Sequence, residues 1–199
     1  MSGAFGWSRL AWSLAILGLF GLSACGGGGG GGGGTPPTQP PIPPTPPQGA
    51  TFTADAPAGP NSISLAAGQG GSTTVFVLDV QATSVSDVYG VSFELEFPKN
   101  LLTFRKNGTT EDVFLGGDDK ADTELIVENS PAGNLVVGYS RLGPVEGVDG
   151  SGLLFSLQFT LVGNGSGPFT LKRTDVVNPL GEAQGGVTWI GGSIDVSRN

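Results

Sequence analysis

Residues 91–97 read Val-Ser-Phe-Glu-Leu-Glu-Phe, and residues 153–161 read Leu-Leu-Phe-Ser-Leu-Gln-Phe-Thr-Leu. In both stretches apolar and polar side chains alternate, which is the period of a β-strand that buries one face. Each stretch therefore predicts a strand whose apolar side packs against an opposite sheet. The predicted inward residues are Val91, Phe93, Leu95 and Phe97 in the first stretch, and Leu153, Phe155, Leu157, Phe159 and Leu161 in the second.

Short runs of the same kind continue from Ser62 to the end of the chain and are broken by Gly, Pro, Asn and Asp. Because no segment shows sustained helical periodicity, the sequence predicts an all-β domain, an antiparallel nine-stranded β-sandwich of the jelly-roll type. The run from Val75 to Leu78 is apolar on both faces, so its orientation stays open. The strands are expected near residues 62–66, 73–82, 89–97, 102–106, 123–128, 135–140, 152–162, 169–173 and 187–196.

The first 50 residues differ in composition from the rest of the chain. Residues 1–24 carry one charge, Arg9, followed by an apolar run, which is the pattern of a secretory signal peptide and is too short to span a bilayer. Residues 25–50 contain nine consecutive glycines and then a Pro-rich run, which predicts a disordered Gly-rich and Pro-rich tether. Residues 51–199 are left as one globular domain, which is long enough to build its own core.

The apolar run of the leader ends in Leu22-Ser23-Ala24-Cys25. This tetrapeptide resembles the lipobox of bacterial lipoproteins. The resemblance implies that the leader is cut before Cys25, that Cys25 is lipidated, and that the exported protein is anchored to the cell envelope, at the outer membrane or cell surface. A plain signal peptide that is cut near Ala24 is the alternative.

Charge and reactive residues limit the chemistry of the chain. The net charge is −8, there is no His, and Cys25 is the one Cys. An acidic chain is unsuited to binding nucleic acid. The lack of His excludes Ser-His-Asp and Cys-His catalysis, and a single Cys excludes an intrachain disulfide. The sequence therefore predicts a binding protein rather than an enzyme, with no cofactor.

Four short sequences of the domain follow one another in an order that is typical of a known module. They are Thr73–Val77, Val88–Phe97, Leu102–Phe104 and Gly152–Phe159. Together they resemble the cohesin module, the β-sandwich that holds dockerin-bearing enzymes in cellulosomes. The resemblance covers nearly all of residues 62–196 and is shared in part with the related sandwich of carbohydrate-binding modules.

The resemblance implies a cell-surface module that recognises a dockerin-type protein in the setting of polysaccharide degradation. Cohesins commonly carry Tyr-Asp-Pro after the third strand, where the Asp helps to contact dockerin, but this chain has Phe97-Pro98-Lys99. The implied surface is the sheet of the third, fifth, sixth and eighth strands, and its acidity favours a partner with a basic patch. Its implied partner-binding residues are Ser92, Glu94, Glu96, Glu124 and Glu128.

The same residues bear on two other functions. Glu94 and Glu96 are two apart on a strand, so their Cα atoms lie about 6.7 Å apart, near the carboxylate separation of inverting glycosidases. A flat sheet offers no cleft that would raise one pKa, so catalysis is not expected. The alternative to protein binding is a carbohydrate-binding module that holds a polysaccharide directly. The domain has few aromatic side chains that could stack on a sugar, and Trp189 is expected to pack against the core. Sugar binding by loops stays open.

The stretch from Gly116 to Glu124 is acidic and suggests calcium. The weak candidate ligands are Asp118, Asp119 and Asp122. The stretch lacks the residue order of an EF-hand, and Lys120 in its centre disfavours a tight cage, so no metal is the main expectation.

Overall fold

The computed structural model describes residues 49–130 and 133–198, which form eleven β-strands. The predicted signal peptide, Cys25 and the predicted tether up to residue 48 lie outside the described residues. Within the described part, no helix is long and apolar enough to cross a bilayer. The strands are β1 (Gly49–Ala54), β2 (Ser62–Ala67), β3 (Val75–Val88), β4 (Gly90–Glu96), β5 (Leu102–Glu111), β6 (Thr123–Asn129), β7 (Leu135–Arg141), β8 (Val148–Leu161), β9 (Gly165–Val177), β10 (Thr188–Ile190) and β11 (Gly192–Ser197).

The strands form two sheets that enclose the core. The six-stranded sheet has the order β1-β11-β9-β4-β7-β6, and the five-stranded sheet has the order β10-β2-β3-β8-β5. All neighbouring strands are antiparallel except β10 and β2, which are parallel. The prediction of an all-β, two-sheet sandwich is confirmed, although the described residues contain two more strands than predicted.

The first additional strand is β1, whose residues Gly49 and Ala50 fall in the predicted tether. β1 pairs with β11 along its whole length, from Gly49 opposite Ser197 to Ala54 opposite Gly192. Ala50 and Phe52 pack against the core, and the Phe52 ring stacks on that of Phe76 at a centroid distance of 6.2 Å. The alternation of polar and apolar residues in β1 is weak, and β1 forms a strand because of its contacts with residues far along the chain.

The second additional strand arises because the predicted strand at residues 187–196 is two strands on different sheets. The chain crosses from β10 to β11 at Gly191. A Cβ atom at Gly191 would lie 2.7 Å from the carbonyl oxygen of Phe169, and one at Gly192 would lie 2.6 Å from that of Thr53. The crossing therefore requires glycine, since any side chain would collide with backbone.

The inward face of β4 is as predicted, because its three apolar residues and Phe97, which follows the strand, are all buried. In β8 the prediction fails at one end. Val80 pairs with Phe155 but Gln81 pairs with Leu153, so a β-bulge leaves Leu154 as an extra residue. The bulge turns Leu154 into the core, where it is fully buried, and Leu153, which was predicted to point inwards, is half-buried. The other four predicted residues of β8 are buried.

Aromatic rings join the two sheets behind the middle of the six-stranded sheet. Phe93 of β4 and Tyr139 of β7 both contact Phe155 of β8, with centroid distances of 6.2 and 5.6 Å. Phe97 contacts Phe159 of β8 at 5.1 Å. Such ring contacts stabilise a core beyond the area that they bury, so β4 and β7 present their outer side chains from a firmly packed base.

Candidate functional site

The candidate site is the solvent side of the neighbouring strands β9, β4, β7 and β6, called the outer face below. Inward and outward side chains alternate along each strand, so the outward residues of the four strands meet on one surface. The structure brings together there all five residues that the resemblance implied for partner binding. They are Ser92, Glu94 and Glu96 of β4, and Glu124 and Glu128 of β6.

The charges of the outer face are partly paired. Glu94 accepts a hydrogen bond from Arg173 at 2.6 Å, and Glu96 accepts one from Lys172 at 2.7 Å. Glu128 forms a third ion pair, with Lys106 of β5 at 2.8 Å. The hydrogen bond from Lys172 is the main reason why the pKa of Glu96 is lowered. The face therefore carries both signs of charge, whereas the sequence predicted an acidic face.

A β-bulge explains how two consecutive cations reach the same face. Ser92 pairs with Asp175 but Glu94 pairs with Lys172, so β9 has one residue more than β4 over this stretch. Arg173 lies at the bulge with a φ of 49°, in the left-handed region. Regular alternation would direct Lys172 and Arg173 to opposite faces, whereas here both pair with glutamates of β4. The adjacent Lys and Arg inside a strand are the sequence signal that could have indicated the bulge.

A trough runs along the middle of the outer face. Its floor consists of small residues on β4 and β7, and a Cβ atom added at Gly138 would meet no other atom within 4 Å. The depression has a volume of about 230 Å³. The floor contains Gly90, Ser92, Gly138 and Ser140, and the walls contain Glu124 and Ile126 on one side and Asp175 and Val177 on the other.

Each wall of the trough carries one carboxylate that has no ion-pair partner within the described chain. Within the described part of the chain, neither Glu124 nor Asp175 forms a side-chain hydrogen bond or an ion pair. Ile126 on the wall and Val136 beside the trough are 51% and 44% exposed, which leaves an apolar surface between the charges. A depression with apolar contact area and unpaired carboxylates on both sides is suited to holding a surface element with basic side chains.

The arrangement of Glu94 and Glu96 does not resemble an acid–base pair. A general acid of a glycosidase needs a raised pKa, but the pKa of Glu96 is lowered. Each carboxylate is also occupied by its own cation. These two residues are therefore arranged for surface ion pairing.

The acidic stretch lies in the turns that connect β5 to β6, except for its last two residues, which begin β6. Asp119 accepts a hydrogen bond from Arg141, a residue of β7 that sequence reasoning missed, and this bond lowers the pKa of Asp119. In residues 49–130 and 133–198, no group of three or more Asp, Glu, His or Cys side chains is arranged to hold a metal ion. Calcium binding by Asp118, Asp119 and Asp122 thus has no support from their arrangement.

The side chains of Trp189 and Tyr139 pack inwards. The Trp189 ring is half-buried and contacts the ring of Phe93 at a centroid distance of 5.6 Å. Tyr139 is buried and donates a hydrogen bond to the carbonyl oxygen of Asp112 at 3.0 Å. These positions agree with the expectation that Trp189 serves packing.

No protein-family model matches this sequence, and no curated protein matches it either. Solved structures do match its fold. A type II cohesin domain from the cellulosome of Acetivibrio cellulolyticus superposes with a TM-score of 0.55 at 8% identity, over 69% of this chain and 95% of that one.

Two further structures extend the comparison. A non-cellulosomal cohesin from the archaeon Archaeoglobus fulgidus has a TM-score of 0.50 at 18% identity, over 67% of this chain and 89% of that one. A type II cohesin–X-dockerin complex from Acetivibrio cellulolyticus gives 0.51 at 11% identity, over 64% of this chain and 92% of the matched chain. The domain is therefore a cohesin-like β-sandwich.

Proposed function

We propose that this domain is a protein-recognition module that binds a dockerin-type partner on its outer face. The observation that carries the proposal is the trough, with its small-residue floor and unpaired carboxylates on both walls. The cohesin-like fold supports it, because one of the matched structures is a cohesin in complex with an X-dockerin. The setting that this function suggests is polysaccharide degradation.

The dimensions of the trough indicate what part of the partner enters it. The walls lie on β9 and β6, three strand spacings apart, which is about 14 Å. An α-helix with its side chains is about 10–12 Å wide. A helix that lies along the floor and carries Lys or Arg on both sides would reach Asp175 and Glu124 together. These two carboxylates provide acidic contacts in a chain that has Pro98 where cohesins commonly have Asp.

The test uses the purified full chain as bait for proteins secreted by the source cell, with mass spectrometry of what is retained. The captured protein is then titrated against a double variant of the trough, Glu124→Lys with Asp175→Lys. The matched control reverses two exposed carboxylates elsewhere, Asp118→Lys with Glu146→Lys. We expect binding to weaken about tenfold or more for the trough variant and to change little for the control.

Two outcomes would contradict the proposal. One is retention of polysaccharide with no protein partner, and the other is equal binding by the trough variant and the wild type. Ionic strength gives an independent check. Association that is steered by charge slows as salt rises, because the Debye length falls from about 10 Å at 0.1 M to about 3 Å at 1 M.

We also propose that the module is displayed from a lipid anchor on Cys25, at the outer membrane or cell surface. The support is the lipobox-like tetrapeptide at the end of the apolar leader, followed by the Gly-rich and Pro-rich run. The Cys25→Ser variant is expected to leave the membrane fraction or to accumulate uncleaved. A variant that matures and fractionates like the wild type would show that Cys25 is not the anchor.

A further inference from the structure

A second cavity shares no lining residue with the trough. Its volume is about 590 Å³, which lies within the range of about 300–1,000 Å³ that is common for small-molecule sites. It is bounded by the turns between β5 and β6, by the loop between β7 and β8, and by the start of β8. Its lining includes Phe114, Asp118, Asp119, Arg141, Glu146 and Asp149.

Arg141 is the unusual member of this lining. Its side chain is only 2% exposed, and its one hydrogen bond within the described residues runs from Nη2 to Asp119. Its Nε atom is buried with no hydrogen-bond partner. Gly117, with a φ of +66°, leaves room for the guanidinium, because a Cβ atom there would lie 2.6 Å from Nη1. A buried guanidinium has five N–H donors, and leaving most of them unused is costly.

Three further carboxylates line the same cavity as Arg141, those of Asp118, Glu146 and Asp149. Asp149 accepts a hydrogen bond from the backbone N–H of Asp87 at 2.7 Å. Asp118 and Glu146 are exposed and form no side-chain hydrogen bond or ion pair within the described chain. The cavity thus offers one carboxylate that is held by a backbone N–H, two carboxylates without a partner in the described chain, one cationic donor, and the apolar ring of Phe114.

The mixture of charges limits what can occupy the cavity. An anion would be attracted by Arg141 but repelled by four carboxylates, and a lone cation would meet the guanidinium. A bare metal ion also lacks a converging ligand set in the described residues. A neutral polyhydroxylated ring avoids both conflicts, because a hydroxyl can donate to a carboxylate and can also accept from an N–H group. Its C–H face can pack on Phe114.

From this geometry we propose that the cavity beside Arg141 is a carbohydrate-binding site, separate from the protein-binding outer face. The sugar is held by loop carboxylates and Arg141 rather than by a row of exposed rings. One domain would then hold a protein partner on its sheet and a glycan at its loops.

The test titrates the full chain with glucose, mannose, galactose, xylose and their β-linked disaccharides by calorimetry and saturation-transfer NMR. The probe variant is Asp118→Asn with Glu146→Gln, which removes two exposed acceptors and leaves the core untouched. The matched control is Glu124→Gln with Asp175→Asn in the trough. We expect the probe variant to bind the preferred sugar about tenfold more weakly and the control to bind it within about twofold of the wild type.

Arg141 itself is buried, so its replacement affects folding as well as binding, and the two exposed carboxylates are the decisive positions. Calcium and spermidine are titrated in parallel. The proposal is overturned if no sugar of the panel binds, if the probe variant and the wild type bind sugar equally, or if only the cations bind. Loss of sugar binding in the probe variant alone, with an unchanged melting temperature, supports it.

Discussion

The outer face and the turn beside Arg141 both contain pairs of opposite charge, but the two regions expose them differently. On the outer face, the side chains of Lys172 and Arg173 are 50% and 80% exposed. Arg141 is 2% exposed, although its partner Asp119 is 48% exposed. An exposed ion pair contributes little to stability because water replaces either partner easily. A buried guanidinium that loses its carboxylate keeps an uncompensated charge.

The difference indicates what each pair is free to do. Lys172 and Arg173 can exchange their glutamates for groups of a binding protein at small expense in stability. Arg141 cannot, so its pairing with Asp119 holds the turns between β5 and β6 against the sandwich. The exposed pairs are therefore suited to exchanging partners, whereas the buried pair keeps Arg141 in a fixed position at the cavity wall.

The largest loss of stability is expected for a substitution in the core. Phe159 is fully buried, and its ring lies 5.1 to 5.8 Å from those of Phe97, Phe104 and Phe169. We expect Phe159→Ala to lower the free energy of unfolding by about 3–5 kcal/mol. The adjacent Gln158→Ala should change it by less than about 1 kcal/mol. Denaturant melts measure both, and equal effects would mean that the sidedness of β8 is wrong.

The next largest effect is expected at the buried charge. Asp119→Asn keeps the shape of the side chain but removes the negative charge beside Arg141, so the variant should melt several degrees below the wild type. The control is Asp118→Asn, its exposed neighbour, which makes no side-chain hydrogen bond within the described chain. If both variants melt at the same temperature, Arg141 does not depend on Asp119.

The same contact predicts a dependence on pH. The pKa of Asp119 is lowered in the folded state from its ordinary value of 3.8. Its contribution is therefore fully present above that ordinary value and is lost as pH falls through the lower, folded-state pKa. The gap in melting temperature between wild type and Asp119→Asn should stay constant from about pH 7 to 5 and narrow as pH falls below the ordinary value of 3.8. A gap that does not narrow below that value would contradict this cause.

The smallest effect is expected for the exposed pairs. Glu94→Gln with Glu96→Gln should leave the melting temperature nearly unchanged, because Arg173 and Lys172 remain solvated. The same variant frees two cations on the outer face, so it should weaken the binding of a basic partner. A large loss of stability would instead show that these pairs hold β9 to β4.

The sequence predicts those features that depend on neighbouring residues, and it does not predict those that depend on residues far apart in the chain. Alternation within β4 and β8 is local, and it correctly places the buried residues of β4 and the glutamates on the outer face. The pairing of Glu94 with Arg173 joins residues 79 positions apart. No local pattern specifies which cation will face which glutamate, so the outer face looked more acidic than it is.

The β-bulges are a second feature that the sequence pattern does not predict. Leu154 and Arg173 each interrupt the period of two, and each changes which side chains share a face. Their positions follow from the register with a neighbouring strand, which a single run of residues does not contain. Arg141 escaped notice for a similar reason, because its burial depends on turns that arrive from elsewhere in the chain.

The pairing of Gly49 with Ser197 has a topological consequence. The first and last described strands are antiparallel neighbours, so the two ends of the domain leave it side by side. A short turn from residue 198 back to residue 49 would join β11 and β1 as a hairpin and close the chain into a ring. New ends could then be opened in the exposed loop between β2 and β3, which makes circular permutation a direct way to attach the domain to a surface by a different edge.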